Sequence, residues 1–300
     1  MMSGADGVTA RDTTPDACPG AVRVHQAADG GLARVRVPGG RLSAAALGAL
    51  AAAAADLGDP RLELTSRGNV QIRALAPGAE RELATRLHAA GLLPSEAHER
   101  VRNIVASPLS GRDTAGLLDV RPIVDRLDAL VISSRVLSEL PGRFLFTLDD
   151  GRGDVTGLTA DVGLQAIAPD RLALLLAGVD SGLRATPAGA AALAAEAATA
   201  FLAERAARSS TAWRLAELPG GVARITAAVA AFADGDVDGH RLAVHPPVRT
   251  PVGVVPQRDG RTALSLVVPL GRLTPAASAA LVELAGPGGP GGPGGLGGLG

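Results

Sequence analysis

A duplicated segment constrains this chain more than any other feature. Residues 35–54 read VRVPGGRLSAAALGALAAAA and residues 266–285 read LVVPLGRLTPAASAALVELA. At a fixed offset of 231, ten of twenty positions are identical, including Val37/Val268, Pro38/Pro269, Gly40/Gly271, Arg41/Arg272 and Leu42/Leu273. Alanine-rich helices resemble one another by composition alone, but V-P-x-G-R-L lies outside the alanine run, so the match reads as a duplication. Ser43 and Thr274 stand at the same place, and each suits a helix N-cap. A 300-residue chain built this way has room for two to three small units.

The pattern of elements points to an α+β fold. Val22–His25 and Leu32–Val37 alternate as strands around Asp29-Gly30-Gly31. A helix follows from Ser43 to near Gly58, then strands at Arg61–Ser66 and Val70–Leu75, then a helix at 79–90 closed by Gly91. Helices are expected at 94–102 and 118–137 around an irregular stretch at 106–114. Strands follow at 143–148, 155–159, 163–167 and 172–176, with a turn at 179–182. Long and shorter helices are expected at 188–207 and 221–232. The organisation read from this is a disordered 1–17, a first unit at 18–92, a second at 93–210, a linker helix with an incomplete second copy of the first unit at 211–285, and a disordered Gly/Pro tail at 286–300. The second copy stops before its own strand–turn–strand. It leaves a helix face and a sheet edge to marginal order or to a partner.

Composition excludes several functions. The net charge is −1, so no global field draws the chain to nucleic acid or an anionic membrane. Aromatic residues are 2% and tyrosine is absent, which disfavours base stacking. The single cysteine, Cys18, rules out a disulfide framework and a self-contained iron–sulfur cluster, which needs about four thiolates. The five histidines lack compact ligand spacing; His88 and His98 are expected on helix surfaces. There is no phosphate loop, dinucleotide fingerprint or nucleophile elbow. With no apolar leader and no membrane-length segment, the expected location is cytoplasmic.

All 29 basic residues are arginine, and asparagine occurs only at Asn69 and Asn103. In LTSRGNVQIR (64–73), strand alternation puts Arg67, Asn69, Gln71 and Arg73 on one face and Val70 and Ile72 on the other. Such a row either cradles a flat ligand with several carboxylates, which guanidinium forks match bidentately, or forms the solvated face of a sheet. Arg34 and Arg36, then Arg100, Arg102 and Asn103 in ERVRNIVASPLSG, then Arg143 in LPGRFLF, are further candidates, and each alone also suits a surface role.

The order V-R-V-P-G-G, T-S-R-G-N-V-Q-I-R, V-R-N-I-x-x-S-P, L-P-G-R-F resembles the sulfite/nitrite reductase superfamily, and within it the precorrin-3B synthase branch of cobalamin biosynthesis. A-C-P-G at 17–20 and E-L-P-G-G-V-A-R at 217–224 are similar to that branch. The resemblance covers about 18–285. It implies a ferredoxin-like half-domain, a sulfite-reductase-type α+β domain and a truncated second half-domain. It also implies an acidic tetrapyrrole held by Arg34, Arg67, Asn69, Gln71, Arg73, Arg102, Asn103 and Arg143. For the precorrin-3B synthase branch it implies an oxidative step on precorrin-3A, with a [4Fe–4S] cluster and iron as redox centres. Sirohaem takes that place in the reductases. Leu145 stands where reductases carry a second basic residue, which favours the synthase branch over sulfite or nitrite reduction. The cluster cysteines lie beyond the resembling region, so the expected partners are an acidic tetrapyrrole and a second chain supplying the cluster region. The alternatives are a sirohaem-dependent sulfite/nitrite reductase-like protein, and a non-catalytic tetrapyrrole-binding module or half of a split enzyme. Cys18 is expected to pack rather than to ligate.

Overall fold

The computed structural model describes residues 18–235, 242 and 252–286. The N-terminal stretch 1–17, the tail and His240 and His245 lie outside the described residues.

Two five-stranded sheets carry the fold. The first is built from β1 (His25–Ala27), β2 (Gly30–Val35), β3 (Leu62–Leu64) and β4 (Val70–Leu75), with β12 (Arg272–Leu273) from the second copy on its edge. All its pairings are antiparallel, in the order β1-β2-β4-β3-β12. Strand alternation turns Ala33, Val35, Val70 and Ile72 to one side, where α1 (Ala44–Leu57) and α2 (Glu80–Ala89) add Leu47, Leu50, Leu83 and Leu87. Removing these aliphatic side chains from water contributes about 1.5–3 kcal/mol each.

The second sheet runs β5 (Ile104–Ala106), β6 (Phe146–Asp149), β7 (Val162–Ala168), β8 (Arg171–Leu176) and β9 (Val179–Ala185). Strands β5, β6 and β7 are parallel, and β8 and β9 return antiparallel. Helices α3 (Arg121–Ser133), α4 (Ala190–Ala207) and α5 (Gly221–Val229) bury one face. Phe144 stands at its centre, with ring centroids 5.2 Å from Phe146 and 4.9 Å from Phe201. Alanine dominates α4, which lets it sit close to its neighbours along most of its length.

The duplication is visible in three dimensions. Ser43 Oγ caps α1 by accepting from the Ala46 amide at 3.0 Å, and Thr274 Oγ1 caps α6 (Pro275–Leu284) by accepting from Ala277 at 3.2 Å. The 3-10 turns Pro38–Gly40 and Pro269–Gly271 precede them. Both turns place their middle residue at positive φ, Gly39 at 67° and Leu270 at 55°. The hairpin β10 (Gly253–Pro256)–β11 (Thr262–Ser265) is the counterpart of β1–β2. Helix α6 lies against α1, so Leu273, Ala277, Leu281 and Val282 join the first core.

Several expectations differ from the structure. The helix expected at 94–102 is only a 3-10 turn at Glu96–His98, because Pro94 and the buried loop that follows interrupt it. His98 is buried rather than on the surface, with Ser95 Oγ at 2.7 Å and the Ser134 carbonyl at 3.0 Å. The strand expected at 155–159 is a 3-10 turn, because Asp149 gathers the amides of Gly151, Gly153, Val155 and Thr156 into a tight loop. The turn expected at 179–182 is the start of β9. No described helix is long and apolar enough to cross a membrane.

Candidate functional site

The seam between the two sheets gathers most of the sequence-derived candidates, and it sorts them into two groups. Asn69, Arg102 and Asn103 belong to the scaffold. Asn69 Oδ1 accepts from the Val37 amide at 3.1 Å, and its Nδ2 donates to Asn103 Oδ1 at 3.1 Å. Asn103 Nδ2 in turn donates to the carbonyls of Gly142 and Phe144 at 2.7 and 3.2 Å. Arg102 is buried and forks onto Asp128, with both contacts at 2.7 Å. Buried Arg36 donates to the carbonyls of Arg100 and Gly142 at 3.1 and 3.4 Å. The uniform ligand-facing row expected from strand alternation is therefore corrected: Asn69 follows the Gly68 turn and points into the seam, where backbone groups claim it.

The second group is Arg34, Arg67, Gln71, Arg73 and Arg143, and of its arginines Arg73 is held by a carboxylate. Arg67 sits at the tip of the β3–β4 turn, whose shape Thr65 fixes by accepting from the Asn69 amide at 3.1 Å, with Gly68 at φ 66°. Arg67 Nη1 reaches across the seam to the carbonyl of Arg143 at 3.1 Å. Arg143 is exposed and holds its guanidinium 5.1 Å from the centroid of the Trp213 ring, a cation–π distance. Half-buried Arg34 donates through Nε and Nη2 to Gln71 Oε1 at 3.0 and 2.5 Å. Gln71 Nε2 then donates to Glu63 at 3.2 Å. Arg73, the outermost of the row, forks onto Asp29 at 2.8 and 3.0 Å.

Charge is distributed unevenly over this group. Arg41, Arg73, Arg102, Arg152, Arg184 and Arg214 each hold a carboxylate. Among the described residues, Arg34, Arg67 and Arg143 hold none. Burial pushes the Arg67 guanidinium down from its usual value, with the charges of Arg214 and Arg143 adding to the shift and those of Asp161 and Cys18 opposing it. Burial also lowers Arg34. Cys18 is close enough to interact electrostatically with both Arg34 and Arg67, which places both arginines near one N-terminal residue. That segment is pinned by Glu99, which accepts from the Val22 and Arg23 amides. Gly20 makes this approach possible: a Cβ there would lie 2.4 Å from the Glu99 carboxyl carbon.

Residue-type patterns alone missed Asp161, Trp213 and Arg214. Buried Asp161 accepts from the Leu145 amide at 2.8 Å, the Leu215 amide at 2.7 Å and Arg214 Nε at 2.7 Å. Burial raises its pKa, while Arg214 works against the shift. It fixes Arg214 beside Arg67. The only tryptophan of the chain, followed directly by an arginine, was the available signal.

A second polar cluster lies at the carboxyl ends of β5 and β6. Arg152 bridges Asp113 and Asp150 at 2.7 and 2.8 Å. Ser107 Oγ donates to Asp154 Oδ1 at 2.6 Å. Among the described residues, no group of three His, Cys, Asp or Glu side chains is arranged to hold a metal ion. With one cysteine in 300 residues, the chain by itself does not fit a [4Fe–4S] cluster.

Residues 25–90 match the nitrite/sulfite reductase ferredoxin-like half domain. Over 144 residues the chain is 35% identical to a ferredoxin–nitrite reductase of Synechococcus elongatus, covering 46% of this chain and 28% of that protein. Over 164 residues it is 31% identical to a precorrin-3B synthase of a Sinorhizobium species, covering 54% and 35%. The chain thus spans about a third of the length of these curated relatives. In fold it is similar to the Mycobacterium tuberculosis NirA protein, with a TM-score of 0.70 and 23% identity over 85% of this chain and 50% of NirA. Residues 25–90 are thus similar to a nitrite/sulfite reductase ferredoxin-like half domain, and stretches of the chain are similar to a nitrite reductase and to a precorrin-3B synthase.

Proposed function

We propose that the chain binds an acidic tetrapyrrole of the precorrin type at the seam between its two sheets, as a precorrin-3B synthase-like protein. The observation that carries this reading is the set of three guanidiniums, Arg34, Arg67 and Arg143, which lack carboxylate partners among the described residues while arginines around them are paired. Arg34 and Arg67 lose part of their water without gaining an ion pair, and such cations favour an anionic guest, with exposed Arg143 beside Arg67. Arg67 and Arg143 meet across the seam, and Arg34 shares Cys18 as a neighbour with Arg67; such a set suits a planar molecule with carboxylates on several edges, since each fork binds one carboxylate bidentately. Trp213, under Arg143, offers an apolar ring face beside that charge.

Each side chain then has a part. Arg67 and Arg143 bind carboxylates from either side of the seam. Gln71 holds Arg34 in place through a neutral oxygen, which leaves its charge for the ligand. Asp161 orients Arg214. Asn69, Arg36 and Asn103 set the distance between the two walls. Arg102 and Arg73 are committed to Asp128 and Asp29 and are scaffold in this reading.

Redox chemistry in this reading comes from outside the chain's own side chains. A tetrapyrrole iron such as that of sirohaem would supply electron transfer where it is bound, and a [4Fe–4S] cluster would need thiolates from outside these 300 residues. Buried Leu145, where the reductases carry a second basic residue, supports the precorrin reading over sulfite or nitrite reduction.

The test is titration of the purified chain with uroporphyrin, an octacarboxylate macrocycle, followed by absorbance. Arg67→Ala and Arg143→Ala are each expected to lower affinity by about 1.5–3 kcal/mol, the range for a hydrogen bond to a charged group. Unchanged affinity in both variants overturns the assignment. Preference for sirohaem over the metal-free macrocycle moves the reading to a reductase-like protein.

A further inference from the structure

Four phenylalanines and Trp213 are all the aromatic residues of the chain. Phe144, Phe146 and Phe201 fill the core of the second sheet, and Phe232 closes a 3-10 turn at Ala230–Phe232. Half-buried Trp213 instead lies under Arg143, whose guanidinium is 5.1 Å from the ring centroid. Both residues stand on fixed backbone. The Arg143 carbonyl accepts from Arg67 across the seam at 3.1 Å, and the carbonyls of Gly142 and Phe144 on either side of it accept from Asn103 at 2.7 and 3.2 Å. Asp161 takes the Leu145 amide at 2.8 Å, and the same carboxylate takes the Leu215 amide and Arg214 Nε, both at 2.7 Å. Glu217 accepts from the Trp213 amide at 2.8 Å. Asp161 thus ties the segment that carries Arg143 to the one that carries Trp213. What can move is the Arg143 side chain, which is exposed and rests on the indole rather than on a carboxylate. A guanidinium over an exposed ring is held more weakly than one forked onto a carboxylate.

We propose that Trp213 is a stacking platform for the macrocycle and that Arg143 covers it until the ligand arrives: a ligand carboxylate draws the guanidinium off the indole, and a flat conjugated ring takes its place. The inference rests on the tetrapyrrole reading above. It adds a residue that distinguishes a flat conjugated macrocycle from other molecules carrying the same carboxylates. Arginine forks read the carboxylates, whereas an indole face gains most from a partner that is itself flat. The ring face is bare in neither state, because guanidinium and macrocycle occupy it in turn. Arg214 follows Trp213 directly and is close enough to Arg67 for their charges to interact, so a macrocycle on the indole has guanidiniums near its edge.

The probes are uroporphyrin and uroporphyrinogen. They carry the same carboxylates, but the first is flat and conjugated and the second has saturated bridges and a puckered ring. Each is titrated into the full chain without oxygen, and binding is read by equilibrium dialysis. The parent is expected to bind uroporphyrin on the order of tenfold more tightly than uroporphyrinogen. Trp213→Leu is expected to bring the two affinities together, and Trp213→Phe, which keeps a ring, to retain most of the difference. Arg143→Ala is expected to weaken both ligands alike and to leave their ratio unchanged. A parent that binds the two equally overturns the proposal and leaves the carboxylate seam standing. So does a Trp213→Leu chain that keeps the parent's ratio, or that weakens both ligands by one factor, which makes Trp213 a structural residue. A parent that binds neither macrocycle overturns the tetrapyrrole reading itself, and this inference with it.

Discussion

Asn69 and Asn103, the only asparagines of the chain, meet in the buried seam, Nδ2 of the first donating to Oδ1 of the second at 3.1 Å. One comes from the half-domain sheet and the other from the loop that enters β5, so this bond joins the two walls of the candidate site. Asparagine is suited to the place because it donates and accepts at once. Asn69 takes the Val37 amide, and Asn103 serves the carbonyls of Gly142 and Phe144. Asn103→Ala leaves two carbonyls and the Asn69 amide without these partners. Each buried polar group stranded in this way costs about 1–3 kcal/mol, and we expect urea denaturation to show a loss of about 3 kcal/mol or more. A loss below about 1 kcal/mol shows that water replaces the side chain and that the seam is wetter than described.

The two groups of arginines give opposite expectations. Arg102→Ala strands Asp128, whose side chain is 17% exposed, and removing one member of such a pair costs about 3–5 kcal/mol when burial is complete. We expect a clear loss of stability, about 2–3 kcal/mol. Arg67→Ala removes a half-buried charge that has no carboxylate and that sits beside Arg214 and Arg143. Its stability is expected to stay within about 0.5 kcal/mol of the parent, as for substitutions that strand no buried group. Thermal melts of the two variants beside their uroporphyrin titrations separate scaffold from site. Equal destabilisation by both contradicts the division.

How far the sequence could lead is seen in those same residues. The V-P-x-G-R-L repeat, the caps at Ser43 and Thr274 and the strand β4 were readable because each depends on a few neighbouring residues. Gln71 and Arg73 were readable as neighbours on one face of β4, because strand periodicity dictates it. Arg102 was not readable as scaffold: its partner Asp128 is 26 positions away on α3, and a paired arginine has the same letter as an unpaired one. Arg214 and Asp161 were missed for the same reason, being 53 positions apart. Short elements also failed where side chains overrode propensity, as Asp149 does when it folds residues 151–156 into a turn rather than a strand.

The duplicated caps make a paired prediction. Ser43 and Thr274 each accept from the amide three residues on, at 3.0 and 3.2 Å. Ser43→Ala is expected to lower stability by about 1 kcal/mol, and Ser43→Asp to retain it, because the carboxylate accepts the same bond and suits the helix N-terminus. Helix α1 packs across the half-domain sheet, so the effect appears in global unfolding. Thr274→Ala is expected to raise amide exchange within α6 first, since much of that helix is exposed. Equal effects of both substitutions on global unfolding contradict this and make α6 part of the same cooperative unit.

Asp154 gives a pH dependence of unusual sign. Its Oδ1 accepts from Ser107, while Oδ2 is buried without a hydrogen bond, 3.7 Å from Arg152 Nε. Burial, with the charges of Asp149 and Asp150 adding to it, pushes the carboxyl from 3.8 up to about 6, against the pull of Ser107 and Arg152. In the unfolded chain the group ionises near 3.8. Below that value both states are protonated and the group contributes nothing. Between about 4 and about 6 the folded state keeps a proton that the unfolded state has lost, so stability falls as pH rises through this window. Above it the full penalty is present, about 2–3 kcal/mol at 1.36 kcal/mol per pKa unit. Other carboxylates run the opposite way, Asp113 and Asp119 among them, because their arginine partners hold them low. The comparison with Asp154→Asn isolates the effect. The amide keeps an acceptor for Ser107 and carries no charge, so the variant is expected to match the parent near pH 4 and to exceed it near pH 7. Urea denaturation at both pH values reads the difference. A variant less stable than the parent at pH 7 shows that the ionised carboxylate is favourable in place, and that Arg152 rather than burial governs its charge.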